Sequence, residues 1–312
     1  MGVFKPPTRD GVGASVVGLP AGPWTTLSDF LAHRFPAVSQ EVWARRMAQG
    51  LVLDELGQPL TLDQPYQPHS RAYYYRELVD EPRIPFEEIV VYQDARLVVA
   101  DKPHFLPVTP VGRFVQESLL VRLKRRLGID TLAPVHRIDR ETAGLVLFTV
   151  EPADRGAYHA LFSQREVTKL YEAIAPWRDD RELPSVYRSR IEPDTQFFRQ
   201  REVPGEPNSE THIELLEVRG ALARYRLKPV SGKTHQLRVH MNALGRPLVG
   251  DLLYPEVLHG PEHASEDYSR PLQLVARAVA FIDPVTGEPR QFESQRHLSW
   301  SGDGVTGGNS SP

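Results

Sequence analysis

Short apolar segments separated by tight turns recur through most of this chain, and this pattern most constrains its fold. Residues 89–92 and 97–100 are apolar and lie on either side of a Gln-Asp-Ala turn. Residues 213–218 and 221–227 repeat the arrangement around an Arg-Gly turn. Apolar runs of this length, bounded by turn residues, are typical of β-strands that pair as hairpins. The sequence therefore predicts an α+β fold, with a mixed, mostly antiparallel sheet and flanking helices.

Composition divides the chain into four predicted segments. Residues 1–24 are rich in Gly and Pro and show no apolar period, so they predict a flexible arm. Residues 25–80 contain two short helical patterns and a short strand, which together predict a small α/β module. Residues 81–300 are predicted to form the main domain. The Gly- and Ser-rich residues 301–312 predict a disordered tail.

Several classes of protein are excluded or disfavoured by composition. The chain contains no cysteine, which excludes disulfides, thiolate metal sites and thiol catalysis. No apolar stretch reaches the ~20 residues that a membrane-spanning helix needs. The first residues lack the basic and long apolar regions of a secretory signal. We therefore expect a cytoplasmic protein without a membrane partner, and a monomer by default.

Basic side chains concentrate in one part of the chain, although the formal net charge is −3. A local basic surface can attract a phosphate backbone on a protein that is acidic overall, because the local potential governs binding. A solvated helix face is the alternative interpretation. The basic residues concerned are Arg113, Arg122, Lys124, Arg125, Arg126, Arg137 and Arg140.

Residues 134–145 carry the strongest functional signal. Their sequence is Pro-Val-His-Arg-Ile-Asp-Arg-Glu-Thr-Ala-Gly-Leu, which sets Asp139 between Arg137 and Arg140. Nearby cations keep a carboxyl group ionised, and an ionised carboxylate can serve as a nucleophile. Guanidinium groups also bind phosphate. The stretch predicts an acid that works on a polyanion, although a helix cap or a structural ion pair would also explain one aspartate.

Four separate segments, in order, resemble the RluA-type pseudouridine synthases across roughly residues 86–295. They are residues 101–103 (Asp-Lys-Pro), 136–145 (His-Arg-Ile-Asp-Arg-Glu-Thr-Ala-Gly-Leu), 169–173 (Lys-Leu-Tyr-Glu-Ala) and 231–240 (Ser-Gly-Lys-Thr-His-Gln-Leu-Arg-Val-His), the last followed by Gly245, Pro247, Gly250, Asp251 and Tyr254. Ile138 and Ala143 replace the family's more usual Leu and Ser, and neither change removes a reactive group. Residues 25–80 resemble the alpha-L RNA-binding motif, with a structural appendage as the alternative.

The resemblance implies an enzyme that isomerises specific uridines in structured ribosomal or transfer RNA, without metal or cofactor. Asp139 would act on the target uridine, by adding to the base, adding to the sugar, or stabilising charge while a ribose proton is removed. Tyr171 would lie against the target base, and its hydroxyl could take part in proton transfer. Arg238 would pair with Asp139 and maintain the charge and orientation of that carboxylate. The sequence leaves the choice among the three routes open.

The resemblance also implies a set of substrate contacts. An enzyme that reaches a base in structured RNA must first extract it from its stack. Arg137 could fill the vacated space or hold a phosphate, and Leu237 would form a wall beneath Tyr171. The predicted substrate-binding residues are Arg137, Arg140, Lys169, Lys233, His235 and Leu237.

Two other functions remain open at this stage. One is a catalytically inactive RNA-binding protein of the same fold. The other is a hydrolase that uses Asp139 with a second acid such as Asp251, which requires two carboxyl groups facing across a bond. A metal site formed by His235, His240 and Asp251 is disfavoured, because a five-residue spacing suits neither a strand face nor a helix face.

Overall fold

The computed structural model describes residues 6–76, 81–196, 198–258 and 267–300. Within these residues, no helix is long and apolar enough to cross a membrane. The predicted disordered tail, residues 301–312, lies outside the described residues.

The chain forms two compact units. The first comprises residues 1–82 and 110–130, and the second comprises residues 83–109 and 131–312. The run of basic residues is therefore divided, because Arg113 to Arg126 belong to the first unit and Arg137 and Arg140 to the second.

Five α-helices and fourteen strands are described, with a 3-10 turn at Pro152–Asp154. The helices are α1 (Leu27–Arg34), α2 (Gln40–Ala48), α3 (Leu119–Leu127), α4 (Arg155–Ser163) and α5 (Gln236–Ala243). The strands are β1 (Ser15–Gly18), β2 (Val52–Leu53), β3 (Arg71–Tyr74), β4 (Ile89–Gln93), β5 (Leu97–Lys102), β6 (Ala133–Pro134), β7 (Ala143–Thr149), β8 (Thr168–Pro176), β9 (Val186–Pro193), β10 (Gln200–Val203), β11 (Ser209–Arg219), β12 (Leu222–Pro229), β13 (Leu274–Ile282) and β14 (Pro289–Glu293).

The first unit is built on a three-stranded sheet in the order β1-β3-β2. Thr26 caps α1 by accepting from the Asp29 amide, and Ser39 caps α2 by accepting from the Val42 amide. The fully buried Trp43 of α2 and the buried Phe30 of α1 belong to one apolar core. Such caps satisfy amides that have no partner within the helix, which fixes where these short helices begin.

The predicted flexible arm is wrong over residues 15–18, because β1 pairs with β3 and Val17 is buried in the core. The predicted boundary at residue 81 also differs from the structure. The Glu81 carboxylate accepts the amides of Val115, Gln116 and Glu117 at 2.6, 2.9 and 2.7 Å. This carboxylate binds residues 115–117 within the first unit. A long-range contact of this kind leaves no periodic pattern in the sequence.

The second unit is built on an eleven-stranded sheet in the order β10-β9-β11-β12-β8-β13-β7-β5-β4. Strands β14 and β6 pair with β13 and β7 outside this path. All the pairs are antiparallel except β13 with β7. The predicted α+β class with a mixed, mostly antiparallel sheet is confirmed.

The parallel contact between β7 and β13 requires a glycine. Gly144 pairs with Ala276 and has a φ of +110°. A Cβ at this position would lie 2.4 Å from the Ala276 carbonyl oxygen and 2.6 Å from its nitrogen. Only glycine lets the two backbones approach so closely at this φ. The close approach fixes where β7 starts, and with it the loop that precedes the strand.

Candidate active site

Asp139 lies in the loop between β6 and β7, close to the start of β7. Its carbonyl accepts the Thr142 amide at 3.2 Å, which closes a tight turn. The half-buried His136 ring stacks on Phe162 at 4.5 Å, and its Nε2 accepts the Leu147 amide. Because burial lowers the pKa of His136 to about 3, the ring is neutral and can accept this bond. These contacts join the start of the loop to β7 and fold its end into a tight turn.

The segment after β5 holds the backbone of the same loop. Lys102 Nζ donates to the Arg140 carbonyl at 3.0 Å, and His104 Nδ1 donates to the Glu141 carbonyl at 2.7 Å. In return, Arg140 Nε donates to the Phe105 carbonyl at 2.9 Å. Burial lowers the pKa of Lys102 to about 7 and that of His104 to about 4. The Nε of Arg140, a residue predicted to bind substrate, is thus hydrogen-bonded within the protein.

Arg238 is brought to Asp139 by helix α5. Its side chain is 1% exposed, and its Nη1 lies 3.4 Å from Asp139 Oδ2. The two shortest contacts of the guanidinium are to a different residue, since Nε and Nη2 donate to Asp251 at 2.8 and 2.7 Å. Glu141 Oε2 lies 3.9 Å from Nη1. The sequence suggested the meeting of Arg238 with Asp139 but missed Asp251 as its main partner.

Arg238 remains charged in this buried position. Burial alone would lower its pKa, but hydrogen bonding and charge from Asp251, with the charges of Asp139 and Glu141, raise the pKa well above its ordinary value. Three carboxylates thus surround one permanent cation. Asp139 differs from Asp251 in that its side chain is 24% exposed, whereas that of Asp251 is 0% exposed.

His235 borders the same carboxylate. It precedes α5 with a φ of +54°, and its Nε2 lies 4.0 Å from Asp139 Oδ1. Its Nδ1 contacts the Tyr254 hydroxyl at 3.1 Å. That hydroxyl donates to the Gln200 carbonyl and accepts the Gln200 amide. Because the single hydroxyl proton is used at Gln200, Nδ1 of His235 is the donor in this contact.

The pKa of His235 is lowered by burial, against the opposing charge of Asp139. A neutral ring that carries its proton on Nδ1 presents an unprotonated Nε2 toward Asp139. The arrangement places a second hydrogen-bond acceptor beside the carboxylate.

Tyr171, on β8, is partly buried and packs against the apolar core that includes Leu237. Burial, and then the charge of Asp139, raise the pKa of its hydroxyl well above the ordinary value. The Tyr171 hydroxyl therefore stays protonated. Leu237, in the first turn of α5, is itself buried.

The remaining predicted contacts occupy different environments. Lys169 Nζ donates to the Ser231 carbonyl at 3.0 Å, and burial lowers its pKa. Lys233 is exposed, and its amide donates to Gln236. Arg137 is exposed and makes no ion pair with any residue that the structure describes. The roles assigned to these side chains remain predictions.

The geometry bears on the hydrolase and metal alternatives. Both Asp251 oxygens are engaged by Arg238, and Oδ1 also accepts the Leu253 and Tyr254 amides. A carboxylate bound in this way cannot face a scissile bond. His240 contacts the hydroxyls of Thr211 and Ser209 through its two ring nitrogens. In the described part of the chain, no group of His, Asp and Glu side chains is arranged to hold a metal ion.

Comparison with known proteins defines the class to which this fold and site belong. A sequence model of the family described as RNA pseudouridylate synthase matches residues 96–243. That span contains Asp139, Tyr171 and Arg238. The solved structure titled "Human RNA Pseudouridylate Synthase Domain Containing 4" matches with a TM-score of 0.51 and 25% sequence identity, over 68% of this chain and 88% of that one. The structure titled "Human RNA Pseudouridylate Synthase Domain Containing 1" matches with a TM-score of 0.54 and 24% identity, over 70% of this chain and 86% of that one.

Curated relatives identify the family within this class of proteins. The dual-specificity RNA pseudouridine synthase RluA of Pasteurella multocida is 32% identical over 221 residues, which cover 68% of this chain and 94% of the relative. The ribosomal large subunit pseudouridine synthase D of Vibrio vulnificus is 32% identical over 239 residues, covering 70% and 71%. The chain belongs to the RluA-type family of RNA pseudouridine synthases.

Proposed function

We propose that this protein isomerises specific uridines in structured RNA to pseudouridine, with Asp139 as the catalytic carboxylate. One observation carries the proposal most directly. Asp139 is partly exposed, while the guanidinium 3.4 Å from it belongs to the fully buried Arg238. A reactive carboxylate must be reachable by substrate, and a neighbouring cation favours the charged form of a carboxyl group. The exposure of Asp139 and its distance from Arg238 support both requirements.

The reaction needs no redox partner. The glycosidic bond between ribose C1′ and uracil N1 breaks, a bond between C1′ and C5 forms, N1 gains a proton and C5 loses one. Atoms and electrons balance within the nucleotide and solvent, which agrees with the expectation that no cofactor is used. Asp139 could add to C1′, add to the base, or stabilise charge while a ribose proton leaves, and each route requires the ionised form.

Tyr171 is proposed to hold the target base and to assist proton transfer. Its ring provides a planar face, and stacking of one base on such a face contributes ~1–3 kcal/mol. The raised pKa keeps its hydroxyl protonated at neutral pH, so the hydroxyl can donate a hydrogen bond, and it can pass its proton on only while it receives another. Leu237 supports the ring from the core that both residues share.

RNA recognition is proposed to rest on exposed cations around this site. Arg137, two residues before Asp139, could fill the space of an extracted base or hold a phosphate. Lys233 precedes α5 and is exposed, so it can reach a phosphate backbone. We further propose that residues 25–80 bind RNA. A monomeric state and a cytoplasmic location remain predictions.

Ribosomal and transfer RNA are the proposed substrate classes, since the names of relatives include both a ribosomal large subunit enzyme and a tRNA pseudouridine(32) synthase. An inactive RNA-binding protein of the same fold is less well supported. Such a protein could lose Asp139, Tyr171 or Arg238 without harm, and all three are present.

Tritium release tests the proposal. Bulk ribosomal RNA and bulk transfer RNA, labelled with tritium at uracil C5, would be prepared from cells in which the gene for this chain is deleted. The purified protein should release tritium from at least one of them without added metal or nucleotide, and mapping the pseudouridines missing from the deletion strain should identify the site. Failure to release tritium from either pool, with no pseudouridine missing from the strain, would refute the proposal.

A further inference from the structure

Asp251 lies in a buried turn whose backbone also requires a glycine. Gly250 has a φ of +77°, and a Cβ there would lie 2.3 Å from the Pro271 carbonyl oxygen. The turn is therefore pressed against residue 271 and has little freedom to move. Within it, Asp251 Oδ1 accepts the amides of Leu253 and Tyr254 at 2.9 and 3.2 Å. The two amides and the packed turn hold the carboxylate in place independently of Arg238.

The guanidinium of Arg238 presents one side to Asp251. Nε and Nη2 donate to the two oxygens of Asp251, in the paired geometry that gives the strongest charge-assisted hydrogen bonds. Only Nη1 remains for Asp139 and Glu141, at 3.4 and 3.9 Å. The other neighbours that bear on its charge are His235 and the ring of Tyr254, which lies 5.5 Å from the guanidinium carbon.

Because three carboxylates share the guanidinium of Arg238, its contact with Asp139 differs from its contacts with Asp251. Charge-assisted bonds between nitrogen and oxygen are ordinarily about 2.7–2.9 Å long. The bonds to Asp251 have this length, whereas the contact with Asp139 is longer and single. Asp139 therefore lies beside a positive charge, while most of its oxygen lone pairs remain available to a substrate.

We infer that Asp251 is a positioning residue, which holds Arg238 in a two-bond pair so that the guanidinium makes only one long contact with Asp139. The inference rests on the proposed function, because it explains how the carboxylate of that reaction stays reactive. Asp251 itself does not touch substrate in this account. It acts through Arg238, and it also fixes the turn that carries Tyr254, the partner of His235.

Asp251→Asn removes the charge and changes little of the shape. The amide oxygen is needed by the amides of Leu253 and Tyr254, so the amide nitrogen must face Arg238 Nε. Two donors then oppose each other, and the guanidinium loses its nearest counter-charge. The remaining carboxylates, Asp139 and Glu141, should draw it toward them. Asp139 would then be bound by two nitrogens, and fewer of its oxygen lone pairs would be available to a substrate.

Asp283→Asn is a matched control. Asp283 is likewise buried, and it accepts the Val285 and Thr286 amides at 3.0 and 3.1 Å and the Tyr158 hydroxyl at 2.9 Å. It lies at the turn after β13 and has no contact with Asp139 or Arg238 among the described residues. The control therefore reproduces the loss of a buried, turn-capping carboxylate without changing the site.

Steady-state tritium release from the labelled RNA pool that the native protein modifies gives kcat and KM for each variant. In Asp251→Asn we expect kcat to fall at least tenfold with KM within about twofold, while Asp283→Asn keeps both values. A crystal structure of Asp251→Asn should show two guanidinium nitrogens within about 3.0 Å of Asp139. Should Asp251→Asn not fold, Asp251→Ser keeps an oxygen for the turn and takes its place in both measurements.

The inference is overturned if kcat stays at the native value, or if the guanidinium of Arg238 keeps its position in the variant. Equal losses in Asp251→Asn and Asp283→Asn would also overturn it, because a general loss of stability would then explain both. A native protein that releases no tritium from any RNA would defeat the proposed function alone. The crystal structure would still decide whether Asp251 sets the position of Arg238.

Discussion

Gly144→Ala is predicted to be among the most damaging small substitutions in the second unit. A methyl group at this position would lie 2.4 Å from the oxygen, 2.6 Å from the nitrogen and 2.8 Å from the carbonyl carbon of Ala276. These are backbone atoms of the neighbouring strand, so they cannot rotate away as a flexible side chain could. Strands β7 and β13 would have to separate at their only parallel contact in the described sheet.

Two contributions add to the loss of folding stability in Gly144→Ala. A positive φ costs an L-residue roughly 1–2 kcal/mol, and forcing a methyl group into a filled space costs about 1–3 kcal/mol. The free energy of unfolding should therefore fall by about 2–5 kcal/mol, out of the ~5–15 kcal/mol typical of a folded protein. Activity should fall as well, because the turn that joins Asp139 to Thr142 leads directly into β7.

Gly220→Ala separates the two contributions. Gly220 has a φ of +58°, and a Cβ there would meet no atom within 4 Å. It should lose only the conformational contribution, roughly 1–2 kcal/mol. Urea denaturation followed by circular dichroism gives the free energy of unfolding of both variants. Equal losses in Gly144→Ala and Gly220→Ala would refute the argument that contact with Ala276 requires the glycine.

The remaining predictions concern the target base, the RNA backbone and pH. Tyr171→Phe keeps the ring and removes the hydroxyl, so RNA affinity should stay within about twofold while kcat falls; an unchanged kcat would exclude the hydroxyl from proton transfer. Arg137→Ala should weaken RNA binding and lower the slope of log affinity against log salt by about 1, measured by filter binding; the control Arg201→Ala, an exposed arginine on β10, should change neither. The pKa of His136 is about 3 when folded and 6.5 when unfolded, so the unfolded state binds more protons between these values. Through this residue, the free energy of unfolding should fall as pH drops through that window, by up to ~1.4 kcal/mol per pH unit. Urea denaturation at pH 7 and pH 5 measures this loss, and the loss between the two pH values should be smaller in His136→Gln than in the native protein.

Local patterns in the sequence were sufficient for the fold class. Apolar runs with turns between them predicted the hairpins β4–β5 and β11–β12, and the structure contains both. Helix α3 lies within residues 81–300, which were predicted to be the main domain, but its Val121 packs with Val12 in the first unit. Periodicity reports which face of an element is buried, not which partner buries it.

The sequence indicated the residues that we propose to react, but not the groups that hold them in place. Asp139, Tyr171 and Arg238 could be named because their side chains fall in motifs with a recognisable order. His104 and Phe105 hold the loop through backbone carbonyls, and a carbonyl leaves no mark on sequence composition. Asp251 was visible after the last matching segment, residues 231–240, but its pairing with Arg238 depends on the turn at Gly250.

The central claim is that Asp139 carries the chemistry. Asp139→Asn keeps the size of the side chain and removes its charge, so binding and folding should change little while the reaction stops. Tritium release under single-turnover conditions should fall at least ~10³-fold relative to the native protein, with RNA affinity within a few-fold and an unchanged melting temperature. Tritium release at the native rate in this variant would contradict the account.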